Sequence, residues 1–390
     1  MDRFSQRLSL RWIDIGSWTL FLALALLHYF SARPLWMDEL FLLDNIQRFS
    51  YSGLLGLLDH SQAFPRVYLM LIKAVSQPFG YPVLVLRLFP LAAMILAFGV
   101  WQKIFRQVFI DKTSYALALT MMGGNYFFGY YAAEFKPYSM DVLVAGIFTF
   151  YLLGSKKSKY FLWLLPVTLL FSYAAIFFMG ILTWNISSEI IRGDGGQSLK
   201  GLSPKRDRPA AIFFLLTGLV VVFVYLTDLR YSTAHQPLIE YWESYFICTH
   251  SLSCFMESLW EGLRRLATTW YGKEKVFIQW SSFLIPFFLY GLVRFGLVAM
   301  VREKFKVQTA GVIGAFLLCE LFILSIIKKY PFTGERVTLF LSPFVFYFIL
   351  KAIEGLKPWK LAYNFFVINI VIFLLIAIGR NFYLFSQYYH

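Results

Sequence analysis

Apolar runs of about twenty residues, parted by short polar or basic stretches, recur along the whole chain. Runs of that length predict helices, since a helix needs ~20 apolar residues to cross a bilayer and buried strands are far shorter. The first run covers about 13–31 and follows Arg3, Arg7 and Arg11. The positive-inside rule therefore places the N-terminus in the cytoplasm and the far end of this helix outside. The run is long and lacks a small-residue cleavage site, so it reads as a retained helix and not a signal peptide. Residues 32–82 are less continuously apolar and hold two amphipathic pieces, 39–50 and 66–79, broken by Gly53, Gly56, Pro65 and Gly80. The second carries Arg66 and Lys73 among Val67, Leu69, Met70, Leu71 and Ile72. It is short for a crossing and predicts an interfacial helix.

Later runs alternate in direction. Residues 83–105 lead inward to Lys103, Arg106 and Lys112; 113–133 lead outward; 138–154 return to Lys156, Lys157 and Lys159. The stretch 160–191 is too long for one ordinary span. As a single span it would export Arg192, Lys200, Lys205, Arg206 and Arg208, so the charge rule predicts a hairpin turning near Ser172-Tyr173. Spans at 209–227, 279–301, 308–327, 337–352 and 361–379 complete the set. The expectation is an all-α polytopic membrane protein of about eleven transmembrane helices, N-terminus inside and C-terminus outside. One domain over 1–390 is expected: a core at 1–191 with external loop 32–82, then 192–390 with external loop 228–278. Residues 193–208 read as a flexible cytoplasmic loop.

Composition agrees: 59% hydrophobic, 15% charged and mean hydropathy +0.62, against about 45–50% apolar and about 25% charged for soluble domains. The net charge of +14 sits mostly in short loops, where it sets topology, and nucleic acid is excluded as a partner. His28, His60, His235, His250 and His390 show no metal-ligand spacing, and no glycine-rich nucleotide motif follows a strand-like run. Neither a metal nor another cofactor is expected. Cys248 and Cys254 share one polar loop and can bridge if that loop is outside the cytoplasm; Cys319 lies in an apolar span and reads as packing.

The candidate chemistry begins at Arg33-Pro34-Leu35-Trp36-Met37-Asp38-Glu39-Leu40, at the outer mouth of the first helix. A carboxylate at a membrane edge costs desolvation unless paired, and ionisable groups there are functional candidates; an acidic loop facing water is the plain alternative. Further polar segments collect on the same face. Glu134-Phe135-Lys136-Pro137-Tyr138 forms a corner in which Asp141, opening the next helix, reads as structural. Lys328-Lys329-Tyr330-Pro331-Phe332-Thr333-Gly334-Glu335-Arg336 brackets a turn. Arg66, Arg87, Lys73 and His60 lie in or next to the first loop. A carboxylate amid cations beside a lipid-accessible cavity suits group transfer from a lipid phosphate. The carboxylate supplies a general base for an acceptor hydroxyl, and Arg or Lys receives the leaving phosphate.

In order, Trp36-Met37-Asp38-Glu39, Gln62-Ala63-Phe64-Pro65, Arg87-Leu88-Phe89-Pro90, Tyr131 through Tyr138, and Tyr330-Pro331-Phe332 with Arg336 resemble the C-type-fold membrane glycosyltransferases. The resemblance is to their polyprenyl-phosphate-sugar branch, which includes protein O-mannosyltransferases and the aminoarabinose transferase of lipid A. It covers the first 190 residues well and the rest by the late motif alone. It implies inverting transfer of a monosaccharide, outside the plasma membrane, from a polyprenyl-phosphate donor to an acceptor hydroxyl, without a catalytic metal. It implies Asp38 as base with Glu39 supporting it or touching the acceptor. Arg336, and with it Lys136, Arg66, Lys73 and Arg87, would hold the lipid phosphate. Glu134, Tyr138, His60 and Tyr330 would contact substrate. No large C-terminal extracytoplasmic domain such as several relatives carry is expected after the eleventh helix, so the acceptor's nature stays open; Trp242, Trp260 and Trp270 in the 228–278 loop are either sugar-stacking or interfacial anchors. A transporter or flippase of lipid-linked sugars would use the same cations but should show inverted repeats or broken midplane helices, and a non-catalytic scaffold would need neither Asp38 nor Arg336.

Overall fold

The computed structural model describes residues 3–154, 159–192, 204–232, 236–268, 279, 281–303, 307–334 and 336–388. The described residues form helices and connecting turns, with no strand among them. Leu10–Phe30, Leu88–Val108, Pro209–Leu229, Ser282–Arg302 and Lys360–Tyr383 are long and apolar enough to cross a membrane; Tyr138–Leu153, Ala175–Ser187 and Ala310–Ile326 are shorter apolar helices. The chain is an integral membrane protein. Its first three helices, α1 (Arg3–Phe30), α2 (Met37–Arg48) and α3 (Arg66–Ser76), carry the chain through the first loop.

The predicted hairpin within 160–191 is present. Helix Lys159–Leu164 and the tighter turn Leu165–Leu170 end at 171–174, and Ala175–Arg192 follows. Trp163 Nε1 donates to the Pro209 carbonyl, and Leu169, Leu170 and Tyr173 line one cavity with Phe223, Val224 and Thr227. The first arm thus runs parallel to helix Pro204–Val224. Ser172 sits against Asp141 and Phe178 against Phe148, so the second arm runs parallel to Tyr138–Leu153. The two arms run in opposite directions.

The predicted span 113–133 is not continuous. It breaks at Gly124-Asn125 into Lys112–Gly123 and Tyr126–Ala132; Asn125 caps the second piece by accepting from the Phe127 amide, and Asn381 donates to the freed Gly124 carbonyl. Late helices approach at glycines. At Gly291 and Gly311 any Cβ would overlap the Phe348 and Phe295 backbone, so only glycine permits these crossings.

The main core runs through the bundle, from Phe21 and Phe98 to Phe344 and Phe373. A second, smaller core lies under the first loop, where Leu42, Ile46, Phe64, Tyr68, Leu69 and Ile72 close on Leu86 and Phe135. Both amphipathic pieces expected at 39–50 and 66–79 are helices, and their apolar faces meet there. Of the loop expected at 193–208, residues 193–203 lie outside the described residues, as do Trp270, 233–235, 271–278 and Glu335, while 204–208 open helix Pro204–Val224 instead of forming a loop.

Candidate active site

Two consecutive carboxylates are separated by helical geometry. Glu39, Leu42 and Ile46 share the buried face of α2; Asp38, one residue earlier, is turned about 100° away. Glu39 is fully buried, with both oxygens engaged. Arg87 grips it in a fork, Nε to Oε1 at 3.0 Å and Nη2 to Oε2 at 2.8 Å. The Trp36 amide donates to Oε2 at 3.0 Å and the Phe135 amide to Oε1 at 2.6 Å. Arg87 also reaches the Arg33 carbonyl at 2.8 Å. This ion pair, both members 0% exposed, ties α2, the 133–137 corner and the entry to helix Leu88–Val108 together.

Asp38 keeps 21% of its side chain exposed and meets two cations. Arg336 Nη1 donates to its Oδ2 at 2.6 Å, and Lys136 Nζ stands 4.0 Å from the same oxygen. Arg336, in the late turn, also donates to the Tyr241 hydroxyl at 3.1 Å, and its guanidinium lies 5.4 Å from the Trp242 ring. Burial works against the Arg336 charge, but Tyr138, Asp38, Tyr241 and Tyr131 outweigh it and hold the pKa above the ordinary value. The late turn is itself pinned: Tyr330 donates to the Val337 carbonyl at 2.8 Å, the Phe332 amide donates to the Tyr245 carbonyl at 3.0 Å, and Gly334 lies under Trp242. Tyr241 escaped the sequence reading; its only signal was its place beside Trp242 in a loop with several aromatic candidates.

Lys136 is buried and donates to Gln62 Oε1 at 2.8 Å. Burial pushes its pKa below the ordinary lysine value, against the opposing pull of Asp38 and Glu134. Glu134 is also buried, 3.6 Å from Arg33; burial, then Glu39, pushes its pKa above the usual carboxylate range. Tyr138 packs edge-on against Tyr131 beside this corner.

The other predicted residues lie apart from Asp38. Lys73 donates to the carbonyls of Ile46 and Phe49, at the far end of α2, about 12 Å along the helix axis from Asp38. A cation at a helix C-terminus satisfies the last carbonyls and the dipole. Arg66 is committed to Asp228, at 2.8 Å, and to the Thr227 carbonyl, while the Phe64 amide donates to the other oxygen of Asp228. One Arg66 nitrogen, Nη1, and the Tyr173 hydroxyl have no partner and share a small cavity between α3 and the hairpin tip. His60 stacks on Phe41 and bonds Asp44 at 3.2 Å, on an exposed face of α2. Asp141 accepts from Ser172 at 2.6 Å, the structural role its sequence position suggested. Cys248 and Cys254 form a disulfide next to the segment carrying Tyr241 and Trp242; Trp260 is exposed. Among the described residues no cluster of three His, Cys, Asp or Glu is placed to hold a metal.

No protein-family model and no curated protein matches the chain. Among solved structures it aligns with the crystal structure of ArnT from Cupriavidus metallidurans bound to undecaprenyl phosphate, with a TM-score of 0.50 at 14% identity over 88% of this chain. The fold resembles that of ArnT. The apo form of ArnT from the same organism aligns over 90% of this chain and 62% of that one at 15% identity, with a TM-score of 0.47. This chain spans 61% of the length of the lipid-bound ArnT chain. The likeness to ArnT is one of fold.

Proposed function

We propose that this chain is an inverting glycosyltransferase that moves a monosaccharide from a polyprenyl-phosphate donor to an acceptor hydroxyl at the external face of the membrane. One observation carries the reading: Asp38 is a part-exposed carboxylate held between Arg336 and Lys136, while its neighbour Glu39 is wholly engaged in structure. The lipid named with the ArnT structure, undecaprenyl phosphate, is of the donor class the ordered motifs implied. The positive-inside rule, which reads about eleven crossings of one domain, supports placing the 133–137 corner, the first loop and the late turn at the outer end.

In the proposed reaction Asp38 takes the proton of the acceptor hydroxyl. The acceptor oxygen attacks the anomeric carbon from the face opposite the lipid, forming the new C–O bond as the bond to the phosphate oxygen breaks. The phosphate departs with the bonding pair, and Arg336 and Lys136 receive its charge. Arg336 exchanges Asp38 for phosphate, so donor binding frees the base. Tyr138 and Glu134 stand beside this group of charges. Glu39, Arg87, Arg66, Lys73, His60 and Tyr330 hold the surrounding loops.

The test is transfer from undecaprenyl-phosphate sugars in proteoliposomes, wild type against Asp38→Asn, which keeps the shape and removes the base. Loss of about two orders of magnitude in turnover or more, with lipid binding retained, supports the reading. Equal turnover makes Asp38 structural. Movement of the donor across the bilayer without transfer by either protein replaces the transferase by a flippase.

A further inference from the structure

We infer that Gln62 is a positioning residue that holds the Lys136 ammonium off Asp38 and so leaves the carboxylate able to accept a proton. The inference rests on the transferase reading above and adds a residue to it. Lys136 Nζ donates to Gln62 Oε1 at 2.8 Å and stops 4.0 Å short of Asp38 Oδ2. The charged groups facing the ammonium are Asp38 and Glu39 from α2, Glu134 from its own corner and Arg336 from the late turn. Lys136 is buried; a buried ammonium that loses a hydrogen-bond acceptor moves to the next one available. Here that acceptor is Asp38. Closing the gap would add a second tight ion pair to the carboxylate and make it a poorer base.

Gln62 is itself oriented. Its Nε2 donates to the His60 carbonyl at 3.2 Å, so its oxygen is presented to the lysine. His60 is fixed in turn on α2, stacked 4.3 Å from the Phe41 ring and bonded to Asp44. The restraint therefore originates on the helix that carries Asp38, which sets the two distances together. An amide is suited to this task. It accepts the hydrogen bond yet leaves the positive charge of Lys136 available to a lipid phosphate, which a carboxylate in its place would neutralise.

Two substitutions separate these functions. Gln62→Leu should let Lys136 close on Asp38, lowering kcat by roughly tenfold or more and moving the acid limb of the pH–rate profile to lower pH. Gln62→Glu should keep Lys136 in place but mask its charge, raising KM for the lipid donor several-fold, lowering kcat as well because Lys136 receives the leaving phosphate, and moving the alkaline limb to higher pH. A structure of Gln62→Leu supplies a readout independent of turnover: the Lys136 to Asp38 distance should fall from 4.0 Å into hydrogen-bond range. An unchanged distance, or equal losses in both variants with unmoved pH limbs, overturns the inference. Wild-type protein that transfers no sugar refutes the transferase reading alone, and the Gln62→Leu structure then still decides the position of Lys136.

Discussion

Asp38 and Arg336 are separated by 298 residues and joined by a hydrogen bond of 2.6 Å. The proposed base thus rests in an ion pair with the cation proposed for its leaving group, and each masks the other until a phosphate arrives. Arg336→Met should cost about 10²–10³ in kcat, the usual loss when one preorganised donor to a developing anion is removed. Arg336→Lys should recover part of it, since a point charge replaces the fork but not its geometry. Turnover at saturating donor measures both; a Met variant as fast as wild type removes Arg336 from the chemistry.

The alkaline limb of activity should be set by Lys136. Its folded pKa is depressed, first by burial, so the ammonium is present at low pH and is lost on raising pH earlier than an ordinary lysine would lose it. Lys136→Arg carries a charge that does not titrate in this range, and its alkaline limb should move to higher pH. An unmoved limb would assign that titration to another group.

Glu39 and Arg87 should matter for stability before chemistry. Glu39→Gln leaves a fully buried guanidinium without its counter-charge, a change that typically costs about 3–5 kcal/mol. The melting temperature in detergent should fall accordingly, and Glu39→Gln combined with Arg87→Met should cost less than the sum of the two. Strict additivity would show that the pair is not coupled.

The same logic applies to Arg66 and Asp228, an ion pair buried at 2.8 Å between α3 and the end of helix Pro204–Val224. Asp228→Asn should destabilise the first loop. Limited proteolysis should then cut within 53–65 well before the bundle is lost. Simultaneous loss of both would show that the loop has no separate stability.

Much of this architecture was legible because membrane insertion writes itself into simple patterns. Apolar length marked the helices, and the basic stretch around Arg206 predicted the reversal at Ser172-Tyr173. Asp38, Lys136 and Arg336 stood out as charges at polar edges, and they converge. What was not legible depends on long-range pairing. Asp228 ends an apolar run and carried no sign of Arg66, 162 residues away. Lys73 looked like a phosphate ligand because sequence shows a charge but not the helix end that consumes it. The break at Gly124-Asn125 had a local signal in Gly123-Gly124-Asn125, overridden by the apolar residues around it. Glu39 illustrates the limit most simply: beside Asp38 in sequence, it is turned by one helical step into a different environment.

The contact between the first loop and the late turn has a further consequence for how the protein is made. A chain that enters the membrane from its N-terminus presents Asp38, Gln62 and Lys136 long before Arg336 has been synthesised. Until then the carboxylate has no guanidinium partner, and a lipid phosphate has only part of its receptor. The proposed site is closed only once this late turn has been laid down, so a nascent chain that has not reached it carries Asp38 without the guanidinium that pairs with it.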